Sequence, residues 1–339
     1  MTQEQLDRHY MARALRLAES GRGSVSPNPM VGAVIVAADN RIIGEGWHRR
    51  YGQAHAEVNA VNSVSPDDIP MLSHATIYVT LEPCSHYGKT PPCAEMLIRK
   101  GFKRVVVATA DPFDKVSGRG IAMLRDAGIT VDVGTLEAES RALNAAFFTA
   151  HTRRRPFVTL KWAQSADGYI SAKSSRLRLS TPLTATLMHR QRAVYDAILV
   201  GSETLLRDRP RLDVRRWAGR SPRPYIWDRR GRLTENDIKC TAQPAEICRD
   251  ADVRTLLERL YTQGITSLMV EGGAKVLDAF IQSGLWDTAR VEVADDITLG
   301  DDGDTIAPTL DRLPQKIRTI EHNNIFWYVN NDIVRVKNL

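Results

Sequence analysis

His55-Ala56-Glu57 and, farther along, Pro83-Cys84 and Pro92-Cys93 are the residues of this sequence whose types and spacing could do chemistry. Zn²⁺ accepts imidazole nitrogen and thiolate, and a catalytic zinc site uses three protein ligands so that the fourth position can hold water. His55, Cys84 and Cys93 meet that count. His55 and Cys93 each stand at the start of a stretch with helical spacing. The partial positive charge of a helix start biases Cys93 towards the thiolate that binds metal. Water on a metal needs a base. Glu57, two residues from a ligand, can take that proton without binding the metal and deliver it to a ring nitrogen and a leaving ammonia.

His-x-Glu followed by Pro-Cys-x-x-Cys is the zinc-deaminase pattern. Here eight residues, SHYGKTPP, separate the cysteines instead of two. Two bland readings compete: two buried thiols and a surface histidine sharing a domain by accident, or a closed structural zinc site in which His86 takes the water position. Three ligands with an adjacent carboxylate, on alternating elements, favour chemistry over both.

These residues need a scaffold. Thr2 and Gln5 are spaced as a capping box before a helix that stops at Gly21. VGAVIVAA and RIIGEGWH read as a hairpin. A helix over 55–63, the strand TIYVTLE, a helix over 93–100, the strand RVVVATA, a helix over 120–127, the strand TVDV and one helix from Glu137 to about His151 follow. Strands alternating with helices predict a sheet covered on both faces.

The pattern breaks at HTRRRPF, where Pro156 disfavours helix in the residue before it. The expected domains are therefore 1–151 and 156–339. The second half runs FVTLKWAQS, a helix opened by Pro182, AILVG, PYIW, a helix over 253–261, SLMVE, Gly272-Gly273, the helix AKVLDAFIQSG, ARVEVA and the strand-like IFWYVNNDIVRV. Glycines between a strand and a helix let backbone approach an anion such as a dinucleotide phosphate, although alone they more often make a plain turn. No G-x-G-x-x-G follows a strand in the required setting, so the usual dinucleotide fingerprint is not expected.

Composition narrows the class. With 339 residues, 43% hydrophobic and 25% charged, the chain is neither disordered nor collagen-like and is long enough for two cores. Its longest apolar run, Val31 to Ala38, is far short of the ~18 residues of a membrane helix. MTQEQLDRHY lacks the apolar core of a secretory leader, so no membrane association and a cytoplasmic location are expected. A net charge of +6 suits anionic substrates without forming a nucleic-acid tail. Four cysteines are too few for a disulfide scaffold, and Cys240 and Cys248, without histidines at ligand spacing, read as spare thiols.

MARALRLAESG, PNPMVGAVIV, HAEVNAV and TLEPCSHYGKTPPC, with LKWAQSADG, RQRAVYDAILVGSETLLRDRPRLDVR and VEGGAKVLDAF in the second half, resemble the bifunctional riboflavin-biosynthesis deaminase-reductases over nearly the whole chain. The long loop between the cysteines is that family's mark. The resemblance implies an α/β protein with a cytidine-deaminase-like zinc domain followed by a dihydrofolate-reductase-like domain using NADPH. It implies phosphoribosylaminopyrimidine substrates, and a homo-oligomer, dimer or tetramer, is expected. By that likeness Asn28, His48, His86 and Lys89 line the deaminase pocket. Ala163, Arg178, Thr204, Asp208, Arg229, Gly273, Ala274, Lys275, Val276, Leu277, Asp278 and Ala279 contact NADPH. Lys161, Arg176, Arg192, Leu212, Arg215 and Glu271 contact the reductase substrate.

Two stretches depart from the family pattern. Lys173 to Arg178 replaces a glycine-containing segment with a tryptophan and is one residue shorter, and Arg229 stands where the family often has serine. An arginine there would favour the 2′-phosphate of NADPH over NADH. Two further readings are carried: a zinc RNA-base deaminase whose basic second half grips RNA, and a deaminase whose reductase half has lost function. Against the RNA reading, aromatics are only 6% of the chain, few for base-stacking platforms.

Overall fold

The computed structural model describes residues 1–87, 91–112, 118–174 and 177–330. The chain divides into two units, Met1–Thr152 and Arg153–Leu339. In the first, α1 (Gln3–Glu19) is opened by a Thr2–Gln5 capping box and leads to β1 (Gly32–Val36) and β2 (Ile42–Trp47). Next come α2 (Ala56–Asn62), a 3₁₀ turn, β3 (Thr76–Val79), α3 (Cys93–Lys100), β4 (Arg104–Val107), α4 (Arg119–Asp126), β5 (Thr130–Val133), α5 (Glu137–Leu143) and α6 (Ala145–Arg153). The sheet order is β2-β1-β3-β4-β5, with β3, β4 and β5 parallel and β1 antiparallel to both neighbours. Alternation along β1 decides the layers. Ala33 and Ile35 face the core shared with α2, α3 and α4, whereas Val34 and Val36 face Tyr10, Met11 and Ala14 of α1.

The second unit contains β6 (Phe157–Ser165), β7 (Tyr169–Ala172), α7 (Pro182–Arg192), β8 (Ala197–Gly201), α8 (Ser202–Asp208), β9 (Arg223–Trp227) and β10 (Glu246–Cys248). It continues through α9 (Val253–Thr262), β11 (Ser267–Val270), α10 (Ala274–Ser283), β12 (Thr288–Ala294), β13 (Gly303–Ile306), β14 (Lys316–Ile320) and β15 (Asn323–Val329). Eight strands form one sheet, β10-β9-β8-β11-β6-β12-β15-β14. It is parallel from β10 to β12, with β15 and β14 added antiparallel. β7 and β13 pair separately.

One expectation needs correction. The helix from Glu137 to about His151 is two helices, because the Asn144 side chain leaves the helical pattern to clamp Met30, accepting from its amide at 2.8 Å and donating to its carbonyl at 2.9 Å. The final strand ends at Val329, and the NDIVRV part of the expected run lies outside the described residues. Beyond the sequence reading, the fold adds α8, β7, β10, β13 and β14. Among the described residues no helix is long and apolar enough to cross a membrane.

Gly44 and Gly46 bring α2 unusually close to β2. A Cβ on Gly46 would lie 2.3 Å from the Ala60 nitrogen and 2.5 Å from the Ala56 oxygen; one on Gly44 would lie 2.6 Å from the Ala60 oxygen. Since those obstacles are helix backbone, Gly46→Ala must push α2 outward. The expected cost is about 1–3 kcal/mol, measured by chemical denaturation; an unchanged midpoint would mean that the contact carries no constraint.

Candidate active sites

His55 is the N-cap of α2, in extended conformation at φ −70° and ψ 167°, so its ring projects from the helix start. Cys93 opens α3, and Cys84 follows β3 through Glu82 and Pro83. The His55 Nδ1 lies 3.4 Å from the Cys93 sulfur and 3.6 Å from the Cys84 sulfur. All three candidate ligand atoms lie within 4.8 Å of one another. A tetrahedral ion with Zn–S of about 2.3 Å and Zn–N of about 2.0–2.1 Å places nitrogen and sulfur about 3.5 Å apart, so this donor set fits zinc in both chemistry and spacing. Among the described residues it is the one cluster of His, Cys, Asp and Glu side chains with metal-ligand spacing, and His86, which is exposed, is not part of it.

Protonation follows the geometry. A hydrogen bond from the Cys93 side chain, with further help from His55 and the Cys93 amide at 3.3 Å, holds Cys84 down to about 4, in the thiolate range. Cys93 is held up by that same shared proton and by burial. Glu57, in the first turn of α2, is 3% exposed. Burial pushes its carboxyl up to about 7 against the pull of His55, and it hydrogen-bonds the Cys93 side chain.

His48 is buried, with its ring 5.6 Å from that of His55 and nearly perpendicular to it. Its Nδ1 lies 3.1 Å from the Ala54 carbonyl and its Nε2 3.4 Å from the Asn28 amide nitrogen. The carbonyl can only accept, so Nδ1 carries the proton and Nε2 accepts from Asn28. Burial holds the ring below the usual histidine range, consistent with this neutral form. Lys89 lies outside the described residues.

Sequence reasoning missed Glu82. Its buried carboxylate accepts the amides of Asp111, Gly118, Gly120 and Ile121 at 2.9–3.3 Å. Gly120 sits so close that a Cβ would meet the Pro83 oxygen at 2.0 Å. The chain just before Cys84 is thus fastened from two sides. Its donors lie 29–39 residues away, beyond any local pattern.

In the second unit a cavity of about 340 Å³ is lined by Lys161, Ala163, Arg178, Thr204, Asp208, Glu271 and Gly273, among others. Register explains the gathering. Val270 pairs with Leu160 and with Leu199, so Lys161 within β6 and Glu271 just after β11 come to one level of the sheet, close to where β8 passes into α8. Gly273 donates its amide to Thr204 Oγ1 at 3.0 Å, and α10 starts at the next residue. A helix start reached through two glycines at the strand ends suits a dinucleotide phosphate.

Other expected contacts are placed differently. Arg192 is fork-bonded to Glu271, with both N···O distances 2.7 Å; burial raises the Glu271 carboxyl, but the Arg192 charge and hydrogen bonds outweigh it and hold the group at about 2. Arg192 therefore reaches the cavity wall through Glu271. Leu212 is 3% exposed among Ile198, Val200, Leu205, Ile226 and Leu233. Its side chain is core, leaving only backbone for a ligand. Leu277 is likewise fully buried, Val276 packs on Gly272, and Asp278 and Ala279 are half-buried. The ligand-facing part of 273–279 is thus the first turn, around Ala274 and Lys275. Burial lowers the ammonium of Lys161, against the charge of Glu271. Arg215 contacts Asp213, and Arg229, exposed, lies 5.0 Å from the centroid of the Trp227 ring. Arg176 lies outside the described residues.

The two sites define a class: a zinc hydrolase of the nucleoside-deaminase kind joined in one chain to a dinucleotide-dependent reductase. Comparison with known proteins agrees. Residues 4–109 match the cytidine and deoxycytidylate deaminase zinc-binding region, and residues 156–325 match the RibD C-terminal domain. Riboflavin biosynthesis protein RibD of Aquifex aeolicus is 37% identical over 316 residues, covering 86% of this chain and 87% of that protein. RibD of Escherichia coli K12 is 37% identical over 361 residues, covering 93% and 96%. A solved structure of a diaminohydroxyphosphoribosylaminopyrimidine deaminase/5-amino-6-(5-phosphoribosylamino)uracil reductase from Thermotoga maritima superposes with TM-score 0.84 at 34% identity, covering 96% of this chain and 99% of that one. Acinetobacter baumannii RibD, form 2, gives 0.87 at 32%, covering 97% and 99%.

The chain belongs to the RibD family of riboflavin biosynthesis: a bifunctional enzyme, deaminase and reductase, with zinc and NADPH as cofactors. The reductase match over the second half disfavours the RNA-editing reading. Glu82→Gln would set an NH₂ group against backbone amides while leaving the zinc ligands in place. Zinc affinity is expected to fall about 10–100-fold, read by competition with a chromophoric chelator; wild-type affinity would mean that Cys84 is held without Glu82.

Proposed function

We propose that residues 1–151 hydrolyse the 2-amino group of 2,5-diamino-6-(5-phosphoribosylamino)pyrimidin-4-one, and that residues 156–339 then reduce the ribosyl group of 5-amino-6-(5-phosphoribosylamino)uracil to ribityl. The names of relatives supply these substrates. The observation that carries the reading is the meeting of His55, Cys84 and Cys93 with the buried Glu57 beside them. His55, Cys84 and Cys93 hold the zinc. Bound zinc supplies the Lewis acidity that makes water nucleophilic at neutral pH. Glu57 takes the water proton and returns it to the ring nitrogen and the departing amine. Asn28 spends an N–H on His48 and keeps its carbonyl oxygen for the edge of the base. His86 and Lys89 serve the phosphoribosyl end.

In the reductase, bound NADPH would supply the hydride that reduces the ribosyl carbon C1′. Gly273, Ala274 and Lys275 bind its diphosphate at the helix start, while Ala163, Thr204, Asp208 and Arg178 line its course. Arg229 selects the 2′-phosphate. Lys161 and Glu271 face the sugar, and Arg192 and Arg215 serve its phosphate. Four free cysteines suit a reducing compartment, and the cytoplasm is the proposed location. The edge strand β14, without a further strand on its outer side among the described residues, supports a homo-oligomer, which sedimentation tests.

Glu57→Gln tests the shuttle. Ammonia release is expected to fall at least about 100-fold, with zinc content at wild-type level and NADPH oxidation intact on the deaminated substrate. Full ammonia release with zinc bound would refute the role. In the wild type, NADPH oxidation should depend on the phosphoribosylaminopyrimidine. Salt-sensitive RNA binding without NADPH binding would instead support the editing enzyme.

A further inference from the structure

His189 is a buried histidine that neither the zinc site nor the cavity wall employs. It lies on α7 one turn before Arg192 and is 5% exposed. Its Nδ1 accepts the backbone amide of Arg215 at 3.3 Å, so the proton of the neutral ring sits on Nε2. The imidazole is held down to about 4 by burial first and then by the charges of Arg192 and Arg215, against Asp213 and Glu271. A neutral ring thus stands beside two guanidinium groups.

The segment it grips is constrained along its length. Leu212 adopts φ 53°, a left-handed conformation unfavourable for a branched side chain, and is kept there by burial in the core. That turn directs the Asp213 carbonyl to Arg192 Nη1 at 3.1 Å, and the Asp213 carboxylate contacts both Arg211 and Arg215. The Val214 amide donates to Ser221 Oγ at 3.0 Å. Arg215 remains 49% exposed on its side-chain surface. Arg192, at the end of α7, and Arg215 are therefore both tied to one short loop through Asp213, the first also bonded to Glu271 of the cavity wall and the second open to solvent.

We propose that His189 is a positioning residue: by accepting the Arg215 amide it sets Arg215 beside Arg192 as a two-pronged receptor for the phosphate of the reductase substrate. This rests on the reading that the two arginines serve that phosphate, and the experiment separates the two claims. An asparagine carbonyl can occupy the place of Nδ1, whereas a glutamine amide extends towards Nε2. Structural bulk alone does not distinguish them.

The test measures kcat and KM of the reductase in the full-length zinc enzyme, with inorganic phosphate as competitive inhibitor. Arg215→Ala should raise the KM for the phosphoribosyl substrate at least about 10-fold; no rise would overturn the assignment of the arginines, and the inference with it. Given that rise, His189→Gln and His189→Ala should each raise the same KM about 5–10-fold and weaken phosphate inhibition in parallel, with kcat and the KM for NADPH changed less than about 2-fold. His189→Asn should stay within about 2-fold of wild type on all counts. Equal behaviour of the Asn and Gln variants, or a loss spread over kcat and both KM values, would overturn the positioning role.

Discussion

The backbone contact between α2 and β2 is the constraint on which the zinc site depends. With no side chain at Gly44 or Gly46, the helix lies where Cβ atoms would otherwise stand. The N-cap His55 is thereby carried to within 3.6 Å of both sulfurs. Metal ligation tolerates only about 0.2 Å in its bond lengths, so an outward step of the helix would break the donor set while leaving every ligand in the sequence. The same helix carries Glu57, buried in its first turn. Ligand spacing and proton chemistry share one helix.

The reductase cavity is built by register rather than by close approach. The pairing of Val270 with both Leu160 and Leu199 puts the ends of β8 and β11 close to one level, beside Lys161 of the longer β6, where ligands of open α/β sheets bind. Charges in that wall need partners, because a lone buried ion is costly to desolvate. Glu271 has Arg192 in a fork, and behind it Arg290 meets Glu292, which also accepts from Asn323 at 2.6 Å. Such pairs add little net stability, but they fix where each charge points.

Much of this was legible in the residues themselves. The Thr2–Gln5 box, the β1–β2 hairpin and the Thr181-Pro182 helix start are local, and the structure has each of them. The His-x-Glu and Pro-Cys signals are equally local, since His55, Glu57 and Cys93 sit at helix starts that sequence patterns mark and Cys84 follows a strand. Glu82, Asn144 and His189 were not legible. Each acts on backbone far away in sequence, 114 residues away for Asn144 and Met30, and a carboxylate, amide or imidazole gives no periodic sign of its partner. Leu212 carries no such sign either: its left-handed backbone, at φ 53°, buries the side chain in the core and leaves the main chain as the part a ligand could meet. The short strands β7, β10 and β13, of three or four residues, are too brief to carry an alternation.

The two buried glutamates show how one fold class obtains opposite behaviour from one side chain. Both Glu57 and Glu271 are deeply buried, and burial alone drives a carboxyl towards its neutral form. Glu57 meets a thiol and an imidazole but no guanidinium, and it rises to about 7. Glu271 meets Arg192 in a bidentate fork and stays near 2. A carboxyl that exchanges protons near neutrality suits a shuttle; one locked as an anion suits a fixed acceptor for hydroxyl or amine hydrogens. The difference lies in the neighbour. Arg192 comes from a helix 79 residues before Glu271, whereas Glu57 meets its own helix start, the Cys93 thiol and the Cys84 thiolate, so each protonation state follows from what the fold delivers to the carboxyl.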